Sequence, residues 1–141
     1  MSAYGPWVFI DVDEVISLHA EMLSRYGGQA SPPKAGCVES SVGTAISSAM
    51  YSTDQAEPDL LCAVAYLLMY LAKNHCFVDG NKRVAWSAAV RVLDVNGVRL
   101  REDDAEAAQL VTRVATGEAR VGEVVAWLAQ PARLRDASLP G

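Results

Sequence analysis

Residues 75–86, HCFVDGNKRVAW, place a base, a carboxylate, a glycine and two cations within one short stretch of the chain. If a helix begins near Asn81, its first turn presents unpaired backbone N–H groups and the positive end of the helix dipole. Gly80 permits a positive φ that lets backbone amides converge on one oxygen. Lys82 and Arg83 add full positive charges. The grouping suits the binding and transfer of phosphate.

Three further residues of this stretch suit phosphate transfer. An imidazole titrates near neutral pH, so His75 could take a proton from an attacking hydroxyl. Asp79 could hold a magnesium ion that bridges phosphates. Phe77 would anchor the loop from below, because phosphoryl and nucleotidyl transfer depend mostly on positioning and electrostatics. Taken singly, such residues are more often a hydrogen-bonded helix end or a solvated helix start, and only their joint order is specific.

The same residues resemble the signature of the Fic/Doc superfamily, His-x-Phe-x-Asp/Glu-Gly-Asn-Gly-Arg-x-x-Arg in the adenylylating Fic branch. Lys82 stands where that branch has its second glycine, and Trp86 where it has its last arginine. Both departures resemble the Doc branch, the death-on-curing toxins of toxin–antitoxin modules, with His-x-Phe-x-Asp-Ala/Gly-Asn-Lys-Arg. Residues 10–28, 96–98 and 115–118 are also Doc-like, so the resemblance covers roughly residues 10–128.

The resemblance implies a protein kinase that uses ATP and Mg²⁺. His75 would accept the proton of a target Ser or Thr hydroxyl, and Asp79 would hold magnesium. The nucleotide phosphates would be cradled by Gly80, Asn81, Lys82 and Arg83. Doc-type proteins are understood to transfer the γ-phosphate, and the implied target is a threonine of elongation factor Tu, whose modification halts translation.

Two other functions remain open. Some Doc proteins have alanine where this chain has Gly80, which leaves the loop closer to the Fic branch and to transfer of AMP. A non-catalytic regulatory module of the same fold is the third hypothesis. It conflicts with the full set of signature residues, since a decayed site would be expected to have lost at least one.

Regulation can be argued from the glutamates. Many Fic proteins carry an inhibitory helix with Ser/Thr-x-x-x-Glu-Gly/Asn, whose glutamate pairs with the last signature arginine. No glutamate of this chain is followed by Gly or Asn, and that arginine is replaced by Trp86. The resemblance therefore implies a separate restraint, a Phd-like antitoxin with a segment that folds on binding.

Composition favours one compact domain in the cytoplasm. A chain of 141 residues, 51% of them hydrophobic, is long enough for one core and too short for two ordinary domains. We expect a single Fic/Doc-like domain over residues 1–141, with a core at about 10–128 and a frayed tail at 129–141. The net charge of −5 argues against direct nucleic-acid binding. The sequence shows neither a membrane span nor a signal peptide.

The three cysteines, Cys37, Cys62 and Cys76, form no paired metal-binding spacing and leave an odd thiol under any disulfide scheme. Cys76 occupies a variable position of the signature, and we interpret it as a filler and not as a nucleophile.

The pattern predicts an all-α fold, a compact helical bundle of the Fic/Doc type. Its signature loop, residues 75–80, would lie between two central antiparallel helices, with a short β flap or loop at residues 51–58. Asp11 and Glu14 are placed as a capping box for the first helix, and His19 on its apolar face is predicted to be a hydrogen-bonded core residue outside the site. Helices are expected over residues 12–26, 39–50, 59–73, 81–96, 104–115 and 121–128.

Overall fold

The computed structural model describes residues 1–4, 7–51, 59–100, 104–130 and 134–136. Within them the chain forms the helices α1 (Val12–Tyr26), α2 (Cys37–Tyr51), α3 (Leu60–Lys73), α4 (Asn81–Val95), α5 (Asp104–Ala115) and α6 (Val121–Leu128). Four short strands, β1 (Ser2–Tyr4), β2 (Trp7–Phe9), β3 (Val98–Leu100) and β4 (Leu134–Asp136), pair as two antiparallel ladders, β1 with β2 and β3 with β4. The predicted all-α fold class is confirmed.

The first helix begins and ends as its sequence predicts. The capping box of Asp11 and Glu14 is present, with the Asp11 N–H donating to the Glu14 carboxylate at 3.5 Å. At the other end, Gly27 has a φ of 78° and its N–H donates to the Leu23 carbonyl at 2.8 Å. The inward face of α1 buries Val15 and His19, so this helix packs a histidine directly into the core.

Helix α3 is central among the described elements and packs extensively against both α4 and α2. Asp59 caps α3 by accepting a hydrogen bond from the Leu61 N–H at 3.0 Å. Helices α3 and α4 both bury several alanines, whose small side chains allow neighbouring helices to pack closely: Ala63, Ala65, Ala72, Ala85, Ala88 and Ala89. Because the connection between the helices is short, they form a helical hairpin that presents the signature loop at one end.

The opposite end of α4 is tied to strand β2 by one side chain. The Asn96 amide donates to the Val8 carbonyl at 2.7 Å, and its oxygen accepts from the Val8 N–H at 2.9 Å. Gly97 then takes a φ of 85° and turns the chain into β3. The carboxyl end of α4 is therefore fixed to β2 by an asparagine side chain.

Two details differ from the expectations. Helix α2 begins at Cys37, two residues before the predicted start, because Gly36 with a φ of 73° lets its carbonyl accept from the Ser40 N–H. The tail is not frayed throughout, since Leu134–Asp136 pair with Val98–Leu100. Strands of three residues are too short to show an alternating pattern in the sequence.

Part of the prediction falls outside the described residues. Of the flap expected at residues 51–58, only Tyr51 is among the described residues, and it ends α2. Asp59, the residue after this range, caps α3. Residues 131–133 and 137–141 of the tail lie there as well. Across the described helices, none combines the length and the apolar composition that crossing a membrane requires.

Candidate active site

The signature loop begins where α3 ends, and His75 has an unusual backbone there. Asn74 closes α3 by donating its N–H to the Tyr70 carbonyl at 2.9 Å. The next residue, His75, has a φ of 50°, and among the described residues it is the one non-glycine with a positive φ. Such a conformation costs roughly 1–3 kcal/mol and persists only when its surroundings hold it. The His75 side chain is exposed, so its imidazole is open to solvent and to a substrate.

A disulfide between Cys76 and Cys37 fastens the loop to the start of α2. The Cys76 carbonyl also accepts a hydrogen bond from the Lys34 N–H at 2.8 Å. The side-chain amide of Asn74 also ties this region to α2, because it donates to the Ser41 hydroxyl at 2.9 Å. Our interpretation of Cys76 as a mere filler is therefore wrong. The two cysteines are 39 residues apart, and their spacing alone gives no reason to pair them rather than either with Cys62.

Phe77 lies under the loop and is 3% exposed. Its ring stacks on the ring of His19, with 3.7 Å between the centroids and 13° between the planes. The Nε2 atom of the same histidine lies 2.7 Å from the carbonyl oxygen of Asp79. His19 is a buried, hydrogen-bonded residue, as predicted, but its partner belongs to the signature loop. The position on an apolar helix face predicted burial and gave no signal for a partner 60 residues away.

The side chain of Asn81 also belongs to the support of the loop. Its oxygen accepts from the Phe77 N–H at 3.1 Å, and its amide nitrogen donates to the Phe77 carbonyl at 2.8 Å. The sequence predicted Asn81 as a phosphate contact. Because its side chain is engaged with the loop, its backbone N–H is the group left to face a phosphate.

Asp79 holds its carboxylate at the exposed side of the loop. One oxygen accepts from the Gly80 N–H at 2.9 Å and the other from the Gln29 N–H at 3.2 Å. A Cβ atom on Gly28 would lie 2.9 Å from the second oxygen, so the glycine leaves room for the carboxylate. Sequence reasoning missed the contribution of residues 28–29, whose contacts with Asp79 bring the end of α1 and the signature loop together.

The donor set around Asp79 fits magnesium only in the presence of phosphates. No group of three His, Cys, Asp or Glu side chains suited to a metal ion occurs in the part of the chain that the structure describes. Magnesium is commonly held by one or two carboxylates, with substrate phosphates and water as the other ligands. A single exposed carboxylate beside a phosphate site matches that arrangement.

Gly80 is the N-cap residue directly before α4 and takes a left-handed conformation with a φ of 81°. No side chain of the described residues caps this end, so the first amides of the helix face outward without a side-chain acceptor. Lys82 and Arg83 are exposed in the first turn, and the Arg83 guanidinium lies 4.5 Å from the centre of the Tyr26 ring. Helix amides without a side-chain acceptor, a positive dipole end and two cations are features that can bind an anion.

A cleft of about 390 Å³ opens beside these cations, between α1, α4 and α5. Its apolar wall includes Met22, Trp86 and Val111, and Tyr26 stands at its edge with Lys82 and Arg83. His75 is not among the residues that line it. Trp86 packs edge-on against Trp127 with 5.9 Å between the rings, so the position where the Fic signature has arginine carries an apolar contact here.

Comparison with known proteins places these features in context. A model described as the Fic/DOC family matches residues 9–93, which include the whole stretch of residues 75–86. A protein named Toxin Doc from Mycolicibacterium smegmatis is 39% identical over 123 residues, which are 86% of this chain and 91% of that protein. A protein named Protein kinase doc from Escherichia phage P1 is 36% identical over 115 residues, 82% of this chain and 88% of that protein.

Proposed function

Because the chain belongs to the Fic/Doc family, as its sequence resemblance predicted, we propose that it is a Doc-type toxin and an ATP-dependent protein kinase. The proposed reaction transfers the γ-phosphate of ATP to a Ser or Thr hydroxyl of a translation factor, elongation factor Tu, and thereby arrests translation. One observation carries the proposal: one loop, held by contacts to α1 and α2, bears an exposed imidazole and an exposed carboxylate and leads into a helix start that has Lys82 and no side-chain cap. Similarity to one protein named a toxin and another named a protein kinase supports it.

His75 acts as the general base in this proposal. The hydroxyl oxygen of the target forms a new bond to the γ-phosphorus while the bond between that phosphorus and the β,γ-bridging oxygen breaks, and ADP leaves. The imidazole takes the hydroxyl proton as the oxygen attacks. Because the His75 side chain is exposed, the proton then passes to solvent.

The start of α4 binds the phosphates. Its outward-facing amides and the charges of Lys82 and Arg83 stabilise the negative charge that spreads over the phosphate oxygens during transfer. Asp79 would hold Mg²⁺, which supplies further neutralisation of the phosphate charge when bound. Asn81 and Phe77 contribute by keeping the loop in shape, which matters because phosphate transfer depends on positioning.

Lys82 favours transfer of the γ-phosphate over transfer of AMP. A glycine at this position would leave an open cradle for a phosphate, whereas the lysine side chain occupies part of it and adds a cation. Its exposure in the first turn of α4 agrees with that role. AMP transfer is the alternative that the experiment below must distinguish.

Toxins named Doc imply an antitoxin, and we propose a Phd-like protein as the partner that restrains this chain. A segment that folds on binding would suit the task, because it can cover a large surface and still be released. Co-expression with a candidate antitoxin should restore growth that the toxin alone prevents.

The proposal is tested by incubating the purified protein with elongation factor Tu and ATP labelled on either the γ- or the α-phosphate. Label from the γ-position alone, lost on His75→Ala and reduced at least tenfold by Lys82→Ala, is the expected result. Arg91→Ala is the matched control, since Arg91 is an exposed cation about 14 Å beyond Lys82 along α4. Label from the α-position would establish AMP transfer instead. No label from either position, with toxicity surviving His75→Ala, would favour a binding role.

A further inference from the structure

We infer that His19 is a positioning residue of the proposed kinase, which orients the Asp79–Gly80 peptide group and with it the Asp79 carboxylate. The inference rests on the proposed function for its consequence in catalysis, and on geometry alone for the contact itself. His19 comes from α1, and nothing in the signature of residues 75–86 includes it. It is 4% exposed, and the loop above it carries the groups assigned to phosphate transfer.

The hydrogen bond assigns the tautomer of the imidazole. A carbonyl oxygen only accepts hydrogen bonds, so the Nε2 atom that lies 2.7 Å from the Asp79 oxygen must carry a proton. Water has little access to replace this donor, because the imidazole is buried against the Phe77 ring. Losing the N–H would leave the carbonyl without its donor.

The orientation of one peptide group follows from that bond. In a trans peptide the C=O and N–H groups point in opposite directions. With the Asp79 carbonyl turned inward to His19, the Gly80 N–H points away from the imidazole, and an oxygen of the Asp79 carboxylate accepts it at 2.9 Å. Two hydrogen bonds thus fix the Asp79–Gly80 peptide group: the buried His19 holds its carbonyl, and the Asp79 carboxylate holds its N–H.

Gly80 makes this support necessary. Glycine has more backbone freedom than any other residue, so a peptide group next to it can rotate at low cost. Rotation would withdraw the N–H from the Asp79 carboxylate and change the direction of the first amides of α4. His19 opposes that rotation by a hydrogen bond, and its stacking on Phe77 keeps the imidazole in place.

Two substitutions separate the hydrogen bond from the packing. His19→Phe keeps a ring that can stack on Phe77 and removes the donor, whereas His19→Gln offers an amide donor and removes the ring. We expect His19→Phe to lower kcat for phosphate transfer at least tenfold and to raise the magnesium concentration for half-maximal rate. His19→Gln should retain more of the wild-type kcat, although it is less stable. A kcat within twofold of wild type for His19→Phe, or a ranking of kcat that follows stability alone, would overturn the inference.

A second measurement does not depend on catalysis. Nitrogen-15 NMR of the wild-type protein should show a His19 ring protonated at Nε2, with slow exchange of that proton. The Gly80 amide should exchange more slowly in the wild type than in His19→Phe. If the wild type transfers no phosphate to any target, the proposed function fails while these two signals still decide the positioning role. A ring protonated at Nδ1 alone would contradict it.

Discussion

The Asp79 carboxylate depends on a glycine that lies outside the signature. One of its oxygens accepts a hydrogen bond from the Gln29 N–H, which requires the chain after α1 to approach it closely. Gly28 makes that approach with a φ of 128°, and a Cβ atom there would lie 2.9 Å from the carboxylate oxygen and 2.8 Å from the Leu23 side chain. At the scale of one residue, the position of the proposed magnesium ligand is therefore set by the absence of a side chain.

Gly28→Ala should displace the Asp79 carboxylate and lower phosphate transfer at least tenfold at limiting magnesium. Gly27→Ala is the matched control, because Gly27 also has a positive φ but its Cβ would meet nothing within 4 Å. Each change should cost about 1–3 kcal/mol of unfolding free energy, because both glycines have a positive φ that other residues rarely adopt, and Gly28→Ala should cost more. The measurements are urea denaturation and the magnesium dependence of label transfer. Equal magnesium dependence in the two variants would show that crowding at Gly28 leaves the carboxylate in place.

At the scale of elements, α4 is held at both ends by the same chemistry. The Asn81 side chain makes two hydrogen bonds to the backbone of Phe77, and the Asn96 side chain makes two to the backbone of Val8. One asparagine braces the signature loop and the other anchors strand β2. Substituting each asparagine in turn therefore separates a loss of stability from a loss of activity.

Asn81→Ala and Asn96→Ala should each lower the unfolding free energy by about 1–3 kcal/mol, because the first removes two side-chain hydrogen bonds and the second three, and backbone groups lose their partners. Asn81→Ala alone should reduce kcat for phosphate transfer, since it frees the loop that carries His75. Denaturation curves and initial rates on the two purified proteins check this. A comparable fall of kcat in Asn96→Ala would mean that activity follows stability and not the shape of the loop.

The helices were predictable because their signals are local. The helices predicted over residues 104–115 and 121–128 match α5 and α6, and α4 ends one residue before its predicted limit. The capping box at Asp11 likewise marked the start of α1. Caps, stops and periodicity act within a few residues, so one sequence is enough to find them.

What the sequence could not predict are the pairings between distant residues. The bond from His19 to the Asp79 carbonyl joins residues 60 apart, the Cys37–Cys76 disulfide joins residues 39 apart, and β3 pairs with a strand from the tail. Each depends on how the helices pack, and no local pattern encodes it. The signature predicted which residues would carry the chemistry, whereas the contacts that shape the loop are visible only in the fold.

At the scale of the whole molecule, one continuous core joins the elements around the site. It includes residues from β2 and from all six helices, from Phe9 and Val15 through Leu67 and Val92 to Leu128. The Cys37–Cys76 disulfide adds a covalent link across this core, between the start of α2 and the loop. We therefore expect the protein to unfold as one unit, consistent with the single domain that the chain length predicts.

Reduction of the disulfide should lower the stability of the whole protein and not of the loop alone. For a link between residues 39 apart, the loss of chain constraint in the unfolded state corresponds to about 4 kcal/mol. The tryptophans report from three elements, with Trp7 in β2, Trp86 in α4 and Trp127 in α6. Urea denaturation followed by tryptophan fluorescence and by far-ultraviolet circular dichroism should give coincident transitions, both shifted to lower urea by a dithiol reductant.

Cysteine variants assign that shift to one bond. Cys37→Ser should unfold at the lower urea concentration with or without the reductant, because the link is already absent. Cys62→Ser should keep the response of the wild type, since Cys62 is outside the disulfide. Two separated transitions in the reduced protein would show that the loop and α2 unfold apart from the rest. A reductant effect that persists in Cys37→Ser would place the source of the stabilisation elsewhere in the chain.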